Sequence, residues 1–130
     1  MTREIKFRIW DKDNNKMLHY DNDIVPCLTL NGVLQDCSKE VSSNVSYKYE
    51  LMQFTGFLDK NGVGIYEGDI VRNKREEFIT GVKYYGGAFR CESEGMPLSL
   101  YIDECYGDKE LNNQLEVIGN VYENKDLLKK

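Results

Sequence analysis

The stretch Leu51–Val71, LMQFTGFLDKNGVGIYEGDIV, decides the fold. Two runs rich in β-branched and aromatic residues flank Asp59-Lys60-Asn61-Gly62. Asn-Gly at the centre of such a turn favours the positive φ values of a tight hairpin. The second run then enters Tyr66-Glu67-Gly68-Asp69, where a glycine between two acids supplies another tight turn and launches a strand at Ile70-Val71. Strand, turn, strand, turn, strand within some twenty residues predicts an antiparallel β protein.

The same alternation spreads in both directions. Downstream, the charged turn Asn73–Glu77 precedes a strand over Phe78–Tyr85. Gly86-Gly87 reverses the chain into Ala88–Glu92, and Leu98–Ile102 reads as a further short strand. In Val117-Ile118-Gly119-Asn120-Val121-Tyr122, adjacent Val117 and Ile118 cannot share one face of a regular strand. Burial on both faces or a bulge is therefore required. Upstream, Ile5, Phe7 and Ile9 alternate with Lys6, Arg8 and Trp10, the period of a half-buried strand. Asp11–Lys16 turns this strand back into Met17–Tyr20. Asp11, Asp13 and Asn15 mimic the start of a calcium loop, but Lys16 and Asn22 stand where that loop needs glycine and a bidentate glutamate. A second hairpin centres on Asn31-Gly32. The serine-rich Cys37–Ser46 reads as a loop between subregions 1–46 and 47–130 of one domain, and Tyr47, Tyr49 and Leu51 restore alternation. Asn124 is placed to N-cap a short terminal helix. The expected core includes Ile5, Phe7, Ile9, Leu51, Phe54, Ile70, Val82, Val117, Ile118 and Val121.

The expected fold class is mainly β, with antiparallel hairpins forming a partly open barrel and a short C-terminal helix. In the C-terminal part, the order of strands and turns is analogous to a small SH3-type barrel. Such an analogy concerns shape and carries no function.

Three segments in order, REIKFRIWDKDNNKM (Arg3–Met17), Leu51–Val71 and LEVIGNVYENKDLL (Leu115–Leu128), resemble the YopX family of phage and prophage proteins. The resemblance runs from Arg3 to Leu128, although Asp21–Tyr49 and Glu92–Asn113 match in little beyond length. It implies a phage or prophage context and brings no biochemical activity with it.

Composition narrows the function classes. The chain has 130 residues, a net charge of −5 and nine tyrosines. This acidic balance disfavours phosphate-backbone binding, which draws on concentrated Lys and Arg. Glu92, Glu94, Asp103, Glu104, Asp108, Glu110 and Glu116 face only Lys109 in their stretch, a solvated face or a surface for a basic partner. Arg3, Lys6, Arg8, Lys12 and Lys16 interleave with Phe7 and Trp10, but alternation places Phe7 on the face opposite Lys6 and Arg8, which undercuts a continuous basic-aromatic platform. The N-terminus lacks the apolar core of a secretory signal, and no run reaches membrane-spanning length. Cys27, Cys37, Cys91 and Cys105 form no close-spaced pair, as expected of reduced thiols in a cytoplasmic protein.

No catalytic residue is assigned, and no metal or cofactor is expected. His19 is the only histidine, and no nucleophile–base arrangement accompanies it. Glu67 and Asp69 lie two apart and could share a face as paired carboxylates, which keeps a divalent-cation enzyme open as an alternative. Nucleic-acid binding in phage development is the other alternative. The expectation is a non-enzymatic module that binds an unknown protein partner or itself, without a membrane. Its partner surface is placed at Tyr66, Glu67, Asp69 and Tyr122, where tyrosines can anchor and carboxylates can select.

Overall fold

The computed structural model describes residues 4–20, 23, 25–36, 43–102 and 113–128. It is mainly β, built from antiparallel strands, with no long helix among the described residues. The described residues pack as two compact units, one within Ile5–Gln53 and the other formed from Phe54 onward together with Glu4. The division falls inside a strand, while residues 37–42 of the serine-rich segment lie outside the described residues.

In the first unit, β1 (Phe7–Asp11) runs antiparallel to β2 (Lys16–His19) on one side. On the other it pairs with the first half of β6 (Tyr49–Leu58), matching Phe7 to Gln53 and Ile9 to Leu51. The β1–β2 turn is organised by Asp11. Its Oδ1 accepts the backbone N–H groups of Asp13 at 3.1 Å and Asn14 at 3.2 Å, and its Oδ2 accepts the Asn14 side-chain amide at 2.8 Å. The Asn31-Gly32 hairpin joins β3 (Cys27–Leu28) to β4 (Leu34–Asp36), and β5 (Ser43–Asn44) extends that sheet. Ile9, Leu34 and Val45 form the core of this unit, flanked by Leu18, Val25, Leu28 and Leu51.

The period-two reading of the first strand is corrected on two points. Ile5 is 60% exposed and precedes β1. Arg8 and Trp10, assigned to the solvated face, are buried, Arg8 to 6% exposure. Where both faces of a strand are covered, side chains of both parities are buried and alternation ceases to report burial. Tyr47 is also exposed, because Ser46–Lys48 makes a 3-10 turn before β6 begins.

In the second unit, the later half of β6 pairs with β7 (Gly64–Tyr66). A four-stranded antiparallel sheet follows, in the order β10 (Ala88–Cys91), β9 (Phe78–Tyr85), β8 (Asp69–Asn73), β11 (Leu115–Asn120). Its core is Ile65, Val71, Val82, Cys91, Leu98, Tyr101, Ile102 and Leu115. Each large aliphatic side chain fully buried there stabilises the fold by about 1.5–3 kcal/mol before entropy is counted. The register of β11 against β8 shifts between Val117 and Gly119, the bulge that adjacent Val117 and Ile118 required.

Two further expectations change in this unit. Leu98–Ile102 is no strand: Leu98–Leu100 is a 3-10 turn in which the N–H groups of Tyr101 and Ile102 both donate to the Leu98 carbonyl. Leu98, Tyr101 and Ile102 are all buried. Their spacing of three and four is that of a helical turn, too short here to produce a periodic signal. The expected short C-terminal helix is present as a 3-10 helix over Lys125–Leu128, but its cap differs. Asn124 does not cap it with its side chain, because the Asn124 Oδ1 accepts the backbone N–H of Asn120 at 3.1 Å instead.

Candidate functional site

The turn between β7 and β8 is built by Gly68 and Asp69. Gly68 adopts φ +82°, a region that side-chain-bearing residues avoid. Asp69 is 2% exposed, and its Oδ2 accepts the Tyr66 N–H at 2.8 Å. The Gly68 N–H donates to the Val82 carbonyl at 2.9 Å, while its own carbonyl accepts the Val121 N–H at 2.8 Å. Asp69 also sits opposite Asn120 in the ladder. The structure thus brings Tyr66–Asp69 and Asn120–Tyr122, fifty residues apart in sequence, onto one seam.

Of the four residues assigned to a partner surface, Tyr66, Glu67 and Tyr122 are partly exposed, whereas Asp69 is buried. The Tyr66 ring packs against Phe54, with centroids 5.5 Å apart. Tyr122 follows an Asn120 turn in which Asn120 Oδ1 accepts the N–H groups of Tyr122 at 3.0 Å and Glu123 at 2.9 Å. Glu67 and Asp69 therefore occupy different environments, and Asp69 serves the turn. Among the described residues, no group of three or more His, Cys, Asp or Glu side chains is placed to hold a metal ion.

Asp59 is the organising residue that the sequence reading saw only as part of a turn. It is 4% exposed. Its Oδ1 accepts the N–H groups of Asn61 at 2.8 Å and Val63 at 2.9 Å, and its Oδ2 accepts that of Val117 at 2.9 Å. The Lys60 N–H adds a bond to the Leu115 carbonyl at 2.9 Å. One carboxylate thus shapes the β6–β7 hairpin and clamps it to the edge of β11 opposite β8. The signal was present as Asp-Lys-Asn-Gly, but its reach to Val117 depends on tertiary structure.

Two surface features carry chemistry outside that seam. At the β9–β10 hairpin, Tyr84 stacks edge-on with Phe89 at 5.0 Å, and the Arg90 guanidinium lies 5.4 Å from the Tyr85 ring centroid. Arg90 is held by the Tyr85 and Gly95 carbonyls, both at 3.0 Å. The second feature is a cleft of about 490 Å³ walled by Phe78, Ile79, Leu127 and Leu128, with Arg72, Lys74, Glu77 and Glu94 among its polar lining. Beside it, Arg72 Nη2 donates to Glu116 Oε2 at 2.8 Å, and Lys60 lies 3.6 Å from the same oxygen. The Arg72 hydrogen bond, aided by both cations, holds the Glu116 carboxyl below its ordinary value. Sequence alone could not find this cleft, because no local pattern links β8 and β9 to the terminal turn.

These features define a small antiparallel β protein whose distant motif segments meet at a turn-built seam. The YopX protein family model matches residues 6–129, and the chain belongs to that family. Protein EF1440 from Enterococcus faecalis is similar in structure, with a TM-score of 0.61 and 26% identity, over 98% of this chain and 100% of that one. Protein YopX from Bacillus subtilis shares the fold at a TM-score of 0.53 and 24% identity, over 95% of this chain and 98% of that one. No curated protein matches.

Proposed function

We propose that the chain is a non-enzymatic β module of a phage or prophage that binds a protein partner, or a second copy of itself, in the bacterial cytoplasm. The observation that carries this reading is the seam at Gly68 and Val121. Backbone hydrogen bonds fix it, and it leaves Tyr66, Glu67 and Tyr122 partly exposed around a rigid turn. Rigid aromatic groups on a strand scaffold lose little conformational entropy on binding and are favoured interface anchors. Tyr84 and Tyr85 extend this supply of exposed tyrosine. Asp69 belongs to the proposed surface as its scaffold, through its bond to the Tyr66 N–H. The SH3-type analogy fits the same reading, since β11 is bonded to β8 on one edge and to the Asp59-Lys60 turn on the other. The phage context rests on the family.

The test is affinity capture from induced or infected cells with wild-type chain and a Glu67→Gln, Tyr122→Ser variant, combined with light scattering across concentration. Loss of a specific partner, or of self-association, from a variant that melts like wild type supports the reading. A monomeric wild type that captures nothing the variant does not also capture refutes it.

A further inference from the structure

The cleft between the β8–β9 hairpin and the terminal turn has the character of a ligand site. Its volume of about 490 Å³ is within the range of small-ligand pockets, which combine apolar walls with a few polar groups. Ile79 and Leu128 come from separate elements and both leave substantial apolar surface uncovered toward it. The Arg72 guanidinium is under-used. One nitrogen serves Glu116, while Nε is shielded from solvent without a hydrogen-bond partner among the described residues. Such a shortfall at a buried polar atom calls for an explanation, and a ligand that re-seats the guanidinium supplies one. Lys74, Glu77 and Glu94 make no side-chain ion pair among the described residues.

We propose that this cleft binds the free carboxyl terminus of a partner polypeptide that ends in apolar residues. A chain end offers the three required chemistries within a few ångströms of one another. Its carboxylate pairs with Arg72 and Lys74, and Arg is the side chain best shaped for a carboxylate. Its last backbone N–H groups donate toward Glu77 and Glu94. Its terminal side chains cover Phe78, Ile79, Leu127 and Leu128. A fatty-acid carboxylate lacks the N–H donors, leaving Glu77 and Glu94 to face an apolar chain. A nucleic-acid strand carries a negative charge at every phosphate and no backbone N–H donors for Glu77 and Glu94, whereas a chain end brings a single carboxylate to Arg72 and Lys74. This site is separate from the surface around Glu67 and Tyr122, so either can fail without the other.

The test uses the full chain, labelled with nitrogen-15, and the acetylated hexapeptide Gly-Ser-Gly-Ala-Leu-Leu with a free carboxyl end. Titration should shift the amides of Lys74, Phe78, Ile79, Leu127 and Leu128 while leaving Tyr66 and Tyr122 in place. The same peptide closed as a C-terminal amide should bind about tenfold more weakly or worse. Lys74→Glu, in an exposed turn, and Ile79→Glu should each weaken binding by a similar factor, whereas Lys83→Glu outside the cleft should not. Glu67→Gln should bind the peptide as wild type does, which separates this site from the seam. Equal binding of acid and amide, octanoate binding as tightly as the peptide, or no shift at millimolar peptide would each overturn the proposal.

Discussion

Replacing Asp59 with alanine should destabilise the second unit more than any other single change to a turn residue. The carboxylate accepts three backbone N–H groups, those of Asn61, Val63 and Val117. Hydrogen bonds to a charged group contribute about 1.5–3 kcal/mol each, but donors that become wet recover much of the loss. Asn61 and Val63 are exposed residues, so their N–H groups can turn to water. Val117 is half-buried beside the β11 bulge, and an unmet donor there costs about 1–3 kcal/mol. Together these give about 3 kcal/mol for Asp59→Ala. Asp59→Asn discriminates further, because an amide keeps one acceptor oxygen and cannot serve both the hairpin and Val117. Its cost should be about 1–2 kcal/mol. Urea unfolding gives the free energies, and amide hydrogen exchange shows where protection is lost. The expected pattern is faster exchange at Val117 in both variants. Asp59→Ala melting within about 0.5 kcal/mol of wild type, a typical neutral surface change, would refute the clamp.

Three other outcomes follow from the same geometry. A Cβ on Gly119 would lie 2.5 Å from Asn124 Oδ1, so Gly119→Ala should cost about 1–3 kcal/mol; adding Asn124→Ala should recover part of it in a double-mutant cycle of urea melts. The Asp11 carboxyl is held below its ordinary value of 3.8, chiefly by the Asn14 side-chain amide. A depressed folded value means stability present above the unfolded value and lost as pH falls through the folded one. Asp11→Asn should therefore flatten the decline in stability below about pH 4, measured by urea melts at successive pH values. Cys27 is exposed, whereas burial pushes the Cys91 thiol up to about 11. Iodoacetamide followed by mass spectrometry should label Cys27 in the native protein and Cys91 only after unfolding; Cys37 and Cys105 lie outside the described residues.

The hairpins were legible because each rests on local chemistry. Asn31-Gly32, Asn61-Gly62 and Gly86-Gly87 all turn where expected, with each glycine at positive φ. Phe78–Tyr85 forms a strand over its expected span. Burial was less legible. Ile9, Phe54, Ile70 and Val82 are buried as expected, but Phe7, Leu51, Val117, Ile118 and Val121 are only partly so. Alternation assigns a residue to a face, and tertiary packing decides which faces are covered. Arg8 shows this most clearly, since a charged side chain is placed outside by any local rule. The surface residues divide by the same logic. Glu-Gly-Asp announced a turn, and the pairing of Asp69 with Asn120 supplies the physical link to the segment of Tyr122 that the motifs alone did not explain. Of the acidic stretch from Glu92 to Glu116, residues 103–112 lie outside the described residues.

Two of the three segments that carry the family resemblance, Leu51–Val71 and Leu115–Leu128, are parts of one clamp. Asp59 in the former reaches Val117 in the latter, Gly68 receives Val121, and Gly119 leaves room for Asn124, whose side chain returns to Asn120. These residues are required to close the second unit, whatever the unit does. A motif that spends its polar groups internally cannot also offer them to a partner, and Asp69 is the clearest case. Recognition must then draw on side chains that the clamp positions without consuming. Tyr66, Glu67 and Tyr122 keep part of their surface exposed on the proposed seam, and Lys74, Ile79 and Leu128 line the proposed cleft. Substitutions in the clamp should therefore lower stability and binding together. Substitutions at Glu67 or Lys74 should lower binding with melting unchanged, and a parallel loss of both at these two positions would break the distinction.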